Sequence, residues 1–212
     1  MRFTDRKAAG QALARKLSHL KDRQPVVLAL PRGGVPVGFE VARALGAPLD
    51  VALVRKIGVP WHPELAIGAL AEGEAEPLID WDMAEKLGVT RAEIADLVAR
   101  EAAVIAARRT LYFRGRPAVD VAGARAIVVD DGIATGATMR AALRAVRRRE
   151  PAALILAIPV APPQTIEALR READEIVCLA APREFWAVGQ FYADFSPVED
   201  ETVCDLLARA AA

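Results

Sequence analysis

The stretch Ile127-Val128-Val129-Asp130-Asp131-Gly132-Ile133-Ala134-Thr135-Gly136-Ala137-Thr138 holds the plan of the fold in one place. It enters on an unbroken apolar run, the pattern of a strand covered on both faces in a parallel sheet. The run ends in two adjacent carboxylates, at the edge where open α/β sheets take their ligands. Small residues and a glycine then let the backbone wrap closely around a guest, and a helix is expected from Thr138. Backbone N–H groups at a helix start, together with the positive end of its dipole, form an anion site. Thr135 and Thr138 add hydroxyl donors. Two acids beside a phosphate cradle suit a sugar phosphate, the acids holding ribose hydroxyls or a magnesium ion. An ordinary strand-turn-helix with aspartate caps is the plain alternative, and it leaves the order of these residues unexplained.

Outward from this loop, short apolar runs alternate with helical stretches. Val26–Leu30, Leu49–Val54, Ala152–Val160 and Glu175–Leu179 read as further buried strands. Helices are expected over Val35–Leu45, closed by Gly46, from the loop to about Arg149, and over Gln164–Arg171. A first helix capped by Thr4 or Asp5 should reach about Leu20, with Ala8, Leu13 and Leu17 facing inward. Strands separated by helices predict an α/β fold, doubly wound around a mostly parallel sheet with right-handed crossovers. Residues 57–118 look like a lid or insertion and 181–212 like a hood and final helix, within a single domain over 1–212. Inside the insertion, Ile67–Ala71 and Pro77–Ile79 suggest a hairpin around an acidic turn at Gly73. Thr90-Arg91-Ala92-Glu93 resembles a capping box that opens a long helix towards Phe113, with Ile94, Leu97, Val98 and Ile105 along one side.

Composition narrows the function. The chain has 212 residues, enough for one substantial core, and its 53% hydrophobic content excludes disorder as a description of the whole. Lys+Arg and Asp+Glu are both 28, which argues against a nucleic-acid partner held by a basic surface. The balance is uneven along the chain. Residues 1–56 hold eleven basic and four acidic side chains, and residues 172–212 two basic and nine acidic. A basic front and an acidic tail suggest an anion site near the front, or pairing of the two ends. No run approaches a membrane span and no apolar signal region follows Met1–Lys7, so no membrane partner and a cytoplasmic location are expected. Cys178 and Cys204 suggest neither a disulfide framework nor a zinc site, and two histidines argue against a histidine-based metal centre. Ser18 and Ser196 lie in no nucleophile elbow, and neither a Walker A motif nor a dinucleotide fingerprint occurs.

The quoted stretch resembles the phosphoribosyl pyrophosphate-binding motif of the type I phosphoribosyltransferases, and the order of elements over residues 24–180 is similar. The resemblance implies a magnesium-dependent enzyme whose partners are phosphoribosyl pyrophosphate and a nitrogen base, and which pairs as a homodimer. It implies that Asp130 and Asp131 face the ribose hydroxyls, directly or through Mg2+, and that Ala134, Thr135, Gly136, Ala137 and Thr138 wrap the 5′-phosphate. Pro31-Arg32-Gly33-Gly34, after the first core strand, matches the family's pyrophosphate turn, which often holds a non-proline cis peptide, here Pro31–Arg32. Lys56, in the Arg55-Lys56 pair taken to close the second strand, is the candidate to neutralise the leaving pyrophosphate.

Phe185 through Phe195 concentrates five of the eleven aromatics and resembles the purine members' hood. Phe185 or Trp186 would stack on the base, the backbone near Val188 would read its edge, and Asp194 is a further contact; these aromatics can equally well only pack the lid. His62 and Glu64 are acid-base candidates in the insertion. Arg108, Arg109, Tyr112, Arg114 and Arg116 lie on its long helix and at its end, where they reach a phosphate-rich substrate or form a solvated face. Two departures stand out. Ala134 replaces the aspartate that 6-oxopurine members carry before Thr-Gly, and Ala137 replaces a second glycine. A rival expectation is a regulatory protein of the same fold that senses nucleotides without turnover.

Overall fold

Five strands whose residues are almost all apolar form one parallel sheet because a strand covered on both faces leaves no position for polar side chains. The computed structural model describes residues 2–72 and 76–211, without the side chains of residues 63 and 64. The expected candidate Glu64 and the turn at Gly73 therefore lie outside the described residues. The sheet is built from β1 (Pro25–Ala29), β2 (Leu49–Val51), β6 (Arg125–Val129), β7 (Ala153–Val160) and β8 (Glu175–Ala180), in the order β2-β1-β6-β7-β8. Leu28 pairs with Asp50 on one side and Val128 on the other. From β1 the chain moves outward to β2, and from β6 it moves outward the other way to β7 and β8. The carboxyl ends of β1 and β6 therefore flank the switch point, where loops diverge and leave a crevice.

Helices α1 (Arg6–Lys16) and α2 (Gly34–Leu45) cover one face, and α5 (Ala137–Arg148) with α6 (Pro163–Leu169) the other. Leu28, Ile127, Val128, Leu154, Leu156 and Ile158 are at most 2% exposed. Each such side chain contributes about 1.5–3 kcal/mol through burial. Asp5 caps α1 by accepting from the Ala8 N–H at 2.7 Å. The helix stops at Lys16 and a 3-10 turn over Ser18–Leu20 follows, short of the single helix expected to Leu20; Ala9, not Ala8, is the buried residue of its first turn. Gly46, at φ +64°, closes α2 as expected.

The expected strand Leu49–Val54 is two strands. β2 ends at Val51, and β3 (Val54–Val59) opens a separate antiparallel sheet with β4 (His62–Ala71) and β5 (Leu78–Ile79). Gly68 pairs with Ile79 and Ala69 with Leu78, as the hairpin expectation required. Arg55 and Lys56 consequently sit within β3, opposite Leu70 and Ala69, and do not close a strand of the main sheet. After α3 (Trp81–Lys86), the Thr90–Glu93 capping box opens α4 (Arg91–Phe113), and Arg114 in the left-handed region ends it. β3 and β4 rest on α5, with α4 packed across them. The last helix, α7 (Asp200–Ala210), lies on α2 and α4, tied by a hydrogen bond from the Tyr112 hydroxyl to Asp200. One basic group of the front does pair with an acid of the tail: Arg32 meets Glu199 at 3.5 Å. Among the described residues no helix is long and apolar enough to cross a membrane.

Candidate functional site

Both loops that the sequence singled out leave the sheet at the switch point, and they touch. Leu30 N–H donates to Val129 O at 2.8 Å, extending the β1–β6 ladder one step past β1. The Pro31–Arg32 peptide is cis, as the resemblance implied. Gly33 and Gly34 then run directly under the two carboxylates. A Cβ on Gly33 would lie 2.1 Å from Asp131 Oδ2, and one on Gly34 would lie 2.7 Å from Val129 O. Only glycine fits either position, so the turn after β1 and the acid pair after β6 form one surface.

Asp131 is 8% exposed. Its Oδ2 accepts from Arg6 Nε at 2.7 Å, and its backbone carbonyl accepts from the Tyr192 hydroxyl at 2.5 Å. Asp130 is half-buried, and its Oδ1 accepts the Asp131 N–H at 2.8 Å. Burial pushes the Asp130 carboxyl well above the usual carboxylate range, and the neighbouring Asp131 charge pushes it further. Burial also raises Asp131, with the Arg6 guanidinium opposing the shift. The protein thus holds two carboxylates at a strand end with fewer partners than their charge calls for, and they face a glycine turn.

The cradle follows. Ile133 N–H donates to Val160 O at 3.0 Å, and the Thr165 hydroxyl donates to Ala134 O at 2.6 Å, so β7 and α6 clasp the loop from behind. Gly136 has φ +82°, a left-handed conformation open to glycine, and a Cβ there would meet Thr165 Cγ2 at 2.9 Å. The helix starts at Ala137 with Gly136 as its cap, one residue before the expected Thr138. Ala134, Thr135, Ala137 and Thr138 are exposed, which leaves their side of the loop open to a ligand.

The hood closes from the two chain ends. Phe3 bridges to Tyr192 as an isolated strand pair, and Tyr192 stacks at 5.1 Å on Phe195, over which Arg6 sits at 3.9 Å. Val188 rests on Gly132, where an added Cβ would come within 2.5 Å of its Cγ1. The Gln190 amide gathers the loop, its Oε1 accepting from the N–H groups of Trp186 and Ala187 at 2.8 and 3.1 Å. Of the expected stacking residues, Phe185 packs on Phe191 at 5.2 Å, and Trp186 is 91% exposed at the tip. Asp194 caps its own turn by accepting from the Ser196 N–H and hydroxyl, bonds that lower its carboxyl.

The structure therefore brings together Arg32, Gly33, Gly34, Asp130, Asp131 and the 134–138 loop, with Val188 above. Arg55 is held by Glu101 at 2.6 Å, and Arg109 pairs with Glu72. Sequence reading missed Arg6, Thr165, Gln190 and Tyr192 as parts of this arrangement. Arg6 stood in the basic front, and only its proximity to Asp131, 125 positions away, gives it meaning. As to magnesium, no cluster of three acidic, histidine or cysteine ligands occurs among the described residues. Two carboxylates suit a Mg2+ ion that keeps waters and takes its remaining ligands from a phosphate-bearing substrate.

Comparison with known proteins finds relatives that match nearly the whole chain. A Mycobacterium tuberculosis H37Rv protein named "Putative phosphoribosyl transferase Rv0571c" is 46% identical over 209 residues, covering 98% of this chain and 47% of its own length. A counterpart from strain CDC 1551 matches equally. The chain thus spans about half the length of the curated relatives it matches. The crystal structure of TT1426 from Thermus thermophilus covers all of both chains at 45% identity with a TM-score of 0.88. The phosphoribosyl transferase domain family matches residues 3–196, a span that takes in the Gly33-Gly34 turn, the Asp130–Asp131 pair, the cradle and the hood, and the chain belongs to that family.

Proposed function

We propose that the chain transfers a ribosyl 5-phosphate from phosphoribosyl pyrophosphate to a nitrogen base, releasing pyrophosphate. The observation that carries this reading is the contact between Gly33 and Asp131, which joins a glycine-arginine turn and a carboxylate pair at the switch point of a parallel sheet. In the reaction the C1–O bond to pyrophosphate breaks with its electron pair on the leaving oxygen. The base nitrogen then bonds to C1 from the opposite face and gives up its proton. Asp130 and Asp131 fix the ribose hydroxyls and offset positive charge developing on the ring. The loop from Ala134 to Thr138 holds the 5′-phosphate on the start of α5. Arg32, with Gly33 and Gly34, receives the pyrophosphate, so Arg32 exchanges its Glu199 contact for phosphate oxygens. Lys56 adds charge from β3. Asp130 and Asp131 are the residues that would hold a magnesium ion, which when bound would help neutralise the leaving group.

For the acceptor, Phe185, Val188 and Asp194 of the hood are the proposed contacts, and Trp186, exposed at the tip, would reach a base only if the tip folds inward. Ala134 offers no carboxylate beside the attacking nitrogen. Hypoxanthine and guanine are accordingly expected to be poor acceptors, and Ala134→Asp is not expected to confer their use alone. Pyrophosphate release from phosphoribosyl pyrophosphate with Mg2+, measured over purine and pyrimidine bases, tests the reading. Release with one class of base supports it, and no release with any base would leave the nucleotide-sensing alternative. A homodimer is the expected assembly, and light scattering that reports a monomer across a wide concentration range would overturn that part.

A further inference from the structure

Helix α4 turns one stripe of side chains towards the crevice: Glu101, Ile105, Arg108 and Tyr112, spaced four, three and four residues apart on a single face. Three of the four are accounted for within the protein. Glu101 holds Arg55 at 2.6 Å, Ile105 is buried in the core, and Tyr112 donates to Asp200. Arg108 is half-buried and makes no hydrogen bond or ion pair with any described residue. It lines a narrow cleft of about 30 Å³ together with Pro31, Arg55 and Thr138. A residue of the turn that carries Arg32 and the last residue of the phosphate cradle thus both line it.

A half-buried guanidinium without a counter-charge is costly, because it gives up hydration and gains no partner. Here the cost is compounded. Arg32 and Arg55 lie at the same crevice, each with its own acid, Glu199 and Glu101. Burial and the Asp200 carboxylate push the Tyr112 phenol up, and Arg108 and Arg32 are both close enough to oppose that shift, so their charges converge on one region. The cleft is far too small for a base or a ribose, and it takes at most an oxygen or two of an anion bound at its mouth. Arg55 and Arg108 are its charged groups, Pro31 and Thr138 bring one residue of each phosphate loop to it, and the rest of its lining is apolar.

We infer that Arg108 is a pyrophosphate-binding residue, supplied in cis by the inserted helix, that grips the leaving group alongside Arg32. This rests on the transferase reading above and adds a residue that the loop motifs do not contain. A multiply charged anion bound across the mouth of the cleft, beside Pro31, would supply the counter-charge that Arg108 lacks among the described residues. The 5′-phosphate has the backbone N–H groups at the start of α5 and the Thr135 hydroxyl, and does not need it.

Calorimetric titration of the full chain with magnesium pyrophosphate, and separately with ribose 5-phosphate, tests this. Arg108→Gln and Arg108→Met, the second keeping the apolar stem, are each expected to weaken pyrophosphate binding about tenfold or more, the loss typical of a hydrogen bond between charged groups. Both should leave ribose 5-phosphate affinity within about twofold, and Arg108→Lys should recover part of the pyrophosphate affinity. Arg100→Gln, an exposed charge change on the same helix, should alter neither. Unchanged pyrophosphate affinity in both Arg108 variants, with a clear loss in Arg32→Gln, would overturn the role of Arg108 and leave the transferase reading standing. Equal losses for both ligands would also overturn it, by marking Arg108 as a general support. A native chain that binds neither pyrophosphate nor phosphoribosyl pyrophosphate would remove both readings together.

Discussion

Two pairs of carboxylates stand at opposite edges of the same sheet and meet opposite fates. Glu172 and Asp174, just before β8, are gripped by arginines of α5. Arg144 donates to Glu172 through three contacts of 2.7–3.1 Å, and Arg147 forks onto Asp174 at 2.8 and 2.9 Å. Those hydrogen bonds hold both acids below their ordinary range. Asp130 and Asp131, just after β6, are held above it by burial. One helix serves both: the C-terminal half of α5 completes the structural pair, while its first turn forms the cradle beside the other. The protein completes both charges of the first pair with arginine forks, and of the second it pairs only Asp131, through Arg6.

The largest effect separates the two pairs by function. Asp131→Asn is expected to lower affinity for phosphoribosyl pyrophosphate in magnesium about hundredfold, the loss of a charge-assisted acceptor. Asp130→Asn removes a desolvated charge beside a like one, so its melting temperature should hold or rise while substrate affinity falls. Calorimetry and thermal melts read both. If Asp131→Asn binds normally, the buried pair is structural and the contrast collapses. Next comes Gly33→Ala, whose new methyl would collide with Asp131 Oδ2. A displaced turn should cost about 1–3 kcal/mol of stability and most of the turnover. Full activity in that variant would show that the two loops need not touch.

This contrast also explains what was legible in the sequence. β1, β6, β7 and β8 announced themselves because burial on both faces leaves unbroken apolar runs, and Asp130–Thr138 stood out because acids, glycine and threonines rarely follow such a run in that order. The division of Leu49–Val59 was not legible. Ala52 and Leu53, where the chain leaves the sheet, are as apolar as the strands on either side and carry no turn residue. Arg6 was invisible for another reason. An arginine near a chain end reads as solvated until the fold carries it onto Asp131 and over Phe195. Hood aromatics were visible as a cluster, yet only packing decides that Phe185 turns onto Phe191 while Trp186 points out. Spacing along the chain reports local structure, and the partners of a charge are set by topology.

A smaller effect probes the cradle from behind. Thr165 is the sole side chain of α6 seen bonding to the loop, through Ala134 O. Thr165→Val keeps the shape and deletes the bond, at a cost of about 0.5–1.5 kcal/mol. If the clasp serves the ligand, phosphate affinity should fall severalfold while the melting temperature shifts by only a few degrees. A melt that drops without any change in affinity would assign Thr165 to the fold alone, on the side of Glu172 and Asp174.

The smallest effect lies with Asp174 and turns on the sign of its titration. Its carboxylate receives the Arg147 fork and also the Leu154 N–H at 2.7 Å, and the amide of Asp174→Asn retains an acceptor for the latter. Only the charge is lost, from a pair whose side chains are 42% and 50% exposed. Solvent screening limits such a pair to about 0.2–1 kcal/mol. Because the folded chain holds Asp174 below its ordinary value of 3.8, the native protein's advantage is complete above that pH. It fades as pH falls through 3.8 and then through the lower folded value, since protonation removes the charge that Arg147 favours. Chemical denaturation of both proteins should therefore show a small gap at about pH 7 that closes in acid and narrows in salt. Substrate affinity should not differ at any pH where both are folded. A change in affinity there would mean that the structural pair feeds into the site through α5, and the separation between the two carboxylate pairs would have to be redrawn along the helix they share.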